Sequence, residues 1–156
     1  MTKKVTDYLK EAPILLNETF SDRTELFTAV NQIVVEKDWV TDEFLTKIIE
    51  REQVFPTGLD QGTYGIAIPH TDPECVKREF IAFVMPKEPV MFQRMDDANL
   101  EVPARFVFIL GLNQPHQQLA MLQNLMGLMQ HTELLAQLAT KTTAQEILEL
   151  LEVHGF

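Results

Sequence analysis

Hydrophobic positions along the chain change their period several times, and each change predicts an element. Leu26, Phe27, Val30, Ile33 and Val34 recur at helical spacing, as the buried stripe of an amphipathic helix does. Asp22, with Glu25 three places on, has the form of a capping box opening that helix, and Asp38 or Trp39 ends it. Thr41 caps a second helix, with Asp42 and Glu43 in its first turn. Its buried face is Phe44, Leu45, Ile48 and Ile49, and it runs to Arg51. Val54, Phe55, Pro56, Thr57 and Gly58 break it, and a polar loop through Asp60, Gly62 and Tyr64 follows.

Other apolar runs lack the helical period and are short or rich in β-branched and aromatic residues. They predict strands over residues 14–16, 65–68, 80–85 and 104–110, with a shorter one at 89–93. Pro115 suits the first position of a third helix, where a missing N–H costs nothing. Leu119, Leu122, Met126 and Met129 form its stripe, widened by Met121, Leu125 and Leu128, and shorter helices are predicted over 133–139 and 144–153. Residues 1–13 are polar and predicted to be loosely held. The order strand, helices, strands, helices predicts an α/β fold, a mixed β-sheet flanked by helices in one compact domain over residues 1–156.

Composition narrows the function classes. Hydrophobic residues make up 46 % and charged residues 23 %, normal for a globular protein. No apolar run reaches membrane-spanning length and the opening residues lack a signal-peptide hydrophobic segment, which predicts a cytoplasmic protein without direct membrane insertion. The single cysteine, Cys75, has no intramolecular partner. A formal net charge of −10 argues against nucleic acid and suits a basic protein partner.

The candidate chemistry gathers at residues 65–70, where Gly65, Ile66, Ala67 and Ile68 lead into Pro69 and His70. Pro69 has no N–H to give a sheet ladder, so the strand is expected to stop there and hold His70 at its end, near the surface. A neutral imidazole nitrogen is nucleophilic near neutral pH, which suits a proton or phosphoryl acceptor. The same hexapeptide is equally compatible with a histidine that only marks a turn.

The set Arg51 and Glu52, then Pro56, Thr57 and Gly58, then Gly65 to His70, resembles the IIA phosphocarrier domain of the bacterial phosphoenolpyruvate-dependent sugar phosphotransferase system, of the fructose/mannitol type. Phe55 to Gly58, and Gln114 to Leu119, look most like the galactitol branch. One departure is Thr71, where many members have Gly or Cys. The resemblance implies the fructose/mannitol-type IIA fold and a phosphotransferase activity. It implies that His70 accepts a phosphoryl group from HPr, through Nε2, and passes it to a cysteine of a IIB component. It implies that His116 is the second active-site histidine and that Arg51 stands close to the phosphorylated ring.

These roles agree with the residue types. Phosphoryl transfer between histidines needs in-line positioning and stabilisation of charge on the equatorial oxygens. His116 falls in the first turn of a helix, where free N–H groups and the dipole attract anions. Arg51 carries a planar fork of donors that fits phosphate. Thr57 has a hydroxyl to offer the phosphate, or one that only serves its turn. No Walker-type loop and no carboxylate cluster spaced for magnesium is present, so no cofactor and no metal is expected.

Three readings stay open on the sequence. One is a transport phosphocarrier. Another is a regulatory module whose His70 phosphorylation a partner senses. The third is a metal-binding or plain interaction domain, with a site built from His70, Cys75 and His116. His131 and His154 are expected to be solvated.

Overall fold

The computed structural model describes residues 3–156. Its middle layer is a mixed sheet of six strands. Across the sheet run β1 (Ile14–Leu16), β4 (Phe80–Met85), β6 (Glu101–Gly111), β3 (Gly65–Ala67) and β2 (Gly58–Asp60), and β5 (Val90–Gln93) pairs with the early part of β6. The β1–β4 and β3–β6 pairs are parallel and the rest antiparallel. β6 is the central strand. Its start pairs with β5, its middle with β3, and its end with β4 from Val107 to Gly111.

Alternation along β4 fills two cores. Ile81, Phe83 and Met85 point into a cluster with Phe106, Phe108, Met121, Leu125, Leu134 and Ile147. Phe80, Ala82 and Val84 point the other way, against Leu26, Phe27, Val30, Phe44 and Ile48. Successive strand side chains take opposite faces, so a run apolar at every position is one covered on both sides. Helices α2 (Arg23–Glu36) and α3 (Phe44–Val54) cover the second face. Helices α4 (Pro115–Met129), α5 (Thr132–Leu138) and α6 (Ala144–Val153) cover the first.

The mixed sheet flanked by helices agrees with the expected architecture. Asp22 caps α2, accepting the Glu25 N–H at 2.8 Å, and the Glu25 carboxylate reaches back to the Ser21 hydroxyl, also at 2.8 Å. Pro115 occupies the first turn of α4. No helix among the described residues is long and apolar enough to cross a membrane.

The loosely held N-terminus is corrected. Val5–Leu9 form a helix, α1, whose Val5, Tyr8 and Leu9 are buried in the first core. Their spacing gives one apolar face in a helix too short to show a period. The Tyr8 hydroxyl donates to the Gln117 side chain at 3.1 Å, and the Thr6 hydroxyl donates to the Phe156 carbonyl at 3.0 Å. Residues 1 and 2, also within the expected loose segment, lie outside the described residues.

Candidate active site

His70 lies on a segment clamped from both sides. β3 pairs with β2 in antiparallel register, Gly58 opposite Ala67, and the Ile68 N–H donates to the Thr57 carbonyl at 3.4 Å, one rung further on. On the other flank the Leu110 N–H donates to the Pro69 carbonyl at 2.9 Å, and His70 bridges to Leu110 in parallel sense. Pairing therefore continues past the expected stop at Pro69. A proline lacks only the donor, and its carbonyl still accepts. Two glycines let the strands close up. A side chain at Gly58 would stand 2.6 Å from the Gln93 carbonyl oxygen, and one at Gly65 would collide with the Pro103 backbone.

The His70 ring is half-buried, with Nδ1 2.9 Å from the carbonyl oxygen of Ile68. A carbonyl can only accept, so Nδ1 carries the proton and donates. The neutral ring then keeps its free lone pair on Nε2. Sequence alone held no information on this point; the backbone two residues upstream decides it.

Arg51 stands in the last turn of α3, beside the segment that follows His70. Its guanidinium lies over the Phe55 ring, 4.9 Å from the centroid, with one terminal nitrogen 3.6 Å from Asp72. Asp72 is two residues past His70, so this contact ties the arginine to the histidine segment. The Arg51 Nε is buried and without a hydrogen-bond partner among the described residues. Around it lies a shallow depression of about 190 Å³ lined by Lys47, Glu50, Val54, Phe55, Thr71 and Asp72. Phe55 is 59 % exposed. Cavities of about 340 Å³ have linings that include none of these residues.

His116 stands exposed in the first turn of α4, six residues after Leu110. The N-cap residue Gln114 makes no side-chain cap bond. The first-turn N–H groups therefore lack that partner, a setting that draws anions. Leu119, one turn along, is 60 % exposed.

Thr57 is placed differently from the expectation of a hydroxyl turned to phosphate. It is 3 % exposed, and its hydroxyl donates to Glu52 at 2.8 Å while its N–H donates to the other carboxylate oxygen at 2.7 Å. Its side chain serves the turn, and the hydroxyl proton is committed to a buried acid. Glu52, unassigned by the sequence reading, is 2 % exposed. Burial pushes its carboxyl up to about 7, against the opposing pull of the Thr57 bonds and of Arg23. A signal was present: Phe44, Ile48 and Glu52 are spaced four apart on one helix face.

Other sequence candidates fall elsewhere. Cys75 is buried, with its thiol pushed up by desolvation, an inert setting for sulfur. Among the described residues no three His, Cys, Asp or Glu side chains gather as a metal site. His131 and His154 meet in a T-shaped pair, centroids 5.3 Å apart, and His131 Nδ1 accepts the Leu134 N–H as the cap of α5. His131 is exposed, as expected, while His154 is half-buried, which corrects the expectation of a solvated ring there.

A family model described as "Phosphoenolpyruvate-dependent sugar phosphotransferase system, EIIA 2" matches residues 7–153. The galactitol-specific EIIA component of Escherichia coli K12 is 34 % identical over 127 residues, covering 81 % of this chain and 84 % of that protein. Among solved structures, the nitrogen regulatory protein IIA-Ntr of Neisseria meningitidis superposes with a TM-score of 0.77 at 26 % identity, covering 94 % of this chain and 98 % of that one. The IIA domain for mannitol of Escherichia coli, solved in complex with phosphorylated IIB, superposes with a TM-score of 0.72 at 24 % identity, covering 98 % and 99 %.

Proposed function

The chain belongs to the EIIA 2 family of the phosphoenolpyruvate-dependent sugar phosphotransferase system, and from that premise we propose that it is a cytoplasmic phosphocarrier acting through His70. The Nε2 lone pair attacks the phosphorus of phosphorylated HPr. The P–N bond to the donor histidine breaks, and its electron pair returns to that ring. A thiolate of a IIB component then attacks the same phosphorus, and the His70 P–N bond breaks in turn. Each step is a displacement that needs alignment more than activation.

The observation that carries this reading is the bond from His70 Nδ1 to the Ile68 carbonyl, which leaves Nε2 free. Arg51, held beside Asp72, offers a fork of donors to the transferring group. His116 offers a ring donor that adds no permanent charge, near N–H groups of the α4 start. The shallow setting suits the work, because a carrier must meet two proteins in turn and release each, so its interfaces are small and short-lived. An acidic total charge favours fast encounter with a basic docking face.

Galactitol is the sugar we assign, on the 34 % identity to the galactitol-specific component. The test is to load the protein from phosphoenolpyruvate, enzyme I and HPr, purify it, add EDTA, and mix it with IIB domains. Rapid transfer to a cysteine of the galactitol-type IIB, and slow transfer to mannitol- and fructose-type IIB, is expected. A phosphoryl group that persists on His70 with every IIB would favour the regulatory reading, which the likeness to IIA-Ntr keeps in view. Transfer abolished by EDTA would overturn the metal-free mechanism.

A further inference from the structure

We propose that Glu52 is a positioning residue for the phosphoryl acceptor, selecting the His70 tautomer through a chain of three hydrogen-bonded links. The inference rests on the reading of His70 as acceptor. In the first link the Glu52 carboxylate accepts both the N–H and the hydroxyl of Thr57, at 2.7 and 2.8 Å. In the second, the Thr57 carbonyl accepts the Ile68 N–H at 3.4 Å. In the third, the Ile68 carbonyl accepts His70 Nδ1–H at 2.9 Å. Both groups of the Ile68 backbone are thus engaged, one toward Glu52 and one toward the ring.

The chain acts at the weak point of the mount. Pro69 cannot donate, so the Ile68 N–H is the last donor on the β2 side before His70. β2 is a three-residue strand at the end of the sheet path, paired with β3 and held on its other flank, among the described residues, only at Gly58, which bridges to Arg94 and whose carbonyl accepts the Met95 N–H at 2.8 Å. Thr57 precedes Gly58, and the side chain that holds Thr57 comes from α3. A buried carboxylate is a costly anchor, and it is retained here with both oxygens satisfied. The neighbouring charge that acts on it is Arg23 of α2.

Freed from this chain, the Ile68 peptide can rotate and the His70 ring loses its fixed acceptor. A histidine ring in water populates both neutral tautomers, and only the one protonated at Nδ1 presents Nε2 as nucleophile. Loss of Glu52 therefore reduces the competent fraction of the ring without removing any group that touches phosphate.

The test is long-range proton–nitrogen NMR of histidine-labelled protein at about pH 8, where a free imidazole is neutral. The wild type is expected to show His70 protonated at Nδ1. Glu52→Ala and Thr57→Val should show mixed tautomers, and Glu52→Gln and Thr57→Ser, which keep partners for the chain, should restore the single form. Acceptance from phosphorylated HPr should slow about tenfold in Glu52→Ala and recover in Glu52→Gln. A Glu52→Ala protein that keeps the Nδ1–H tautomer overturns the proposal. If that variant does not fold, the Thr57 pair decides, and identical His70 spectra for Thr57→Val and Thr57→Ser overturn it. The spectra need no phosphoryl donor, so a wild type that shows these tautomer changes in its variants but is never phosphorylated at His70 would sink the functional reading alone.

Discussion

The His70 ring is tied to its own backbone, with Nδ1 2.9 Å from the Ile68 carbonyl and the segment paired on both flanks. His116 stands exposed at the start of α4, behind an N-cap that makes no side-chain bond. The contrast matches what the proposed function asks of each ring. A nucleophile must present one particular nitrogen along the line of displacement, so its tautomer and direction are fixed in advance. A donor to a phosphate oxygen has three equatorial oxygens to choose from and is needed only when the anion arrives. On the proposed function, fixity belongs to the acceptor and freedom to its helper.

The largest expected effect breaks the fixed side. His70→Ala should abolish phosphorylation, read as the phosphoryl adduct by mass spectrometry under non-acidic conditions. A fully labelled variant would place the acceptor elsewhere.

Next comes the anchor beneath that mount. Burial raises the Glu52 carboxyl from 4.5 to about 7. The folded state thus holds this proton more tightly than the unfolded chain does. The associated stability is fully present below the unfolded value and is lost as pH rises through about 7. The loss amounts to about 3 kcal/mol between those limits. Urea unfolding of wild type and Glu52→Gln across that window should show the slope in the wild type and a flatter profile in the variant. Parallel profiles would mean that Glu52 is not buried as described.

The free side is probed by His116→Ala, which should stay folded and still accept the phosphoryl group, but about a hundredfold more slowly. His116→Gln, which keeps a donor, should lose less. An unfolded His116→Ala by circular dichroism would make the residue structural. The smallest effect is expected at Arg51, already shared with Asp72 and Phe55. Arg51→Ala should slow acceptance about tenfold, the cost of one hydrogen bond to a charged group. Arg51→Lys should recover only part of that, because a point charge replaces a planar fork. Full recovery with Lys would show that charge alone matters.

Much of this contrast was legible in the chain. Phe80 to Met85 lie in a strand covered on both faces and read directly as a buried run. Pro115 announced the start of α4, and with it the place of His116. What escaped had weak local signals. β2 is Gly58–Asp60, too short to show alternation and carrying a glycine and an acid, so it read as loop. Its pairing is visible only once β3 lies beside it. α1 is a helix of five residues whose burial depends on a distant face of the sheet. Glu52 sits on an apolar stripe, but a carboxylate there makes sense only with Thr57 folded back against it. The tautomer of His70 depends on a backbone carbonyl direction that no residue identity encodes.

The central claim is that Nε2 of His70 is the atom that carries the phosphoryl group. Nitrogen-15 NMR of the phosphorylated, histidine-labelled protein reads this directly. The geometry predicts phosphorus coupling and a shifted resonance at Nε2, with Nδ1 still protonated against the Ile68 carbonyl. Coupling at Nδ1, or at any ring other than His70, would contradict it.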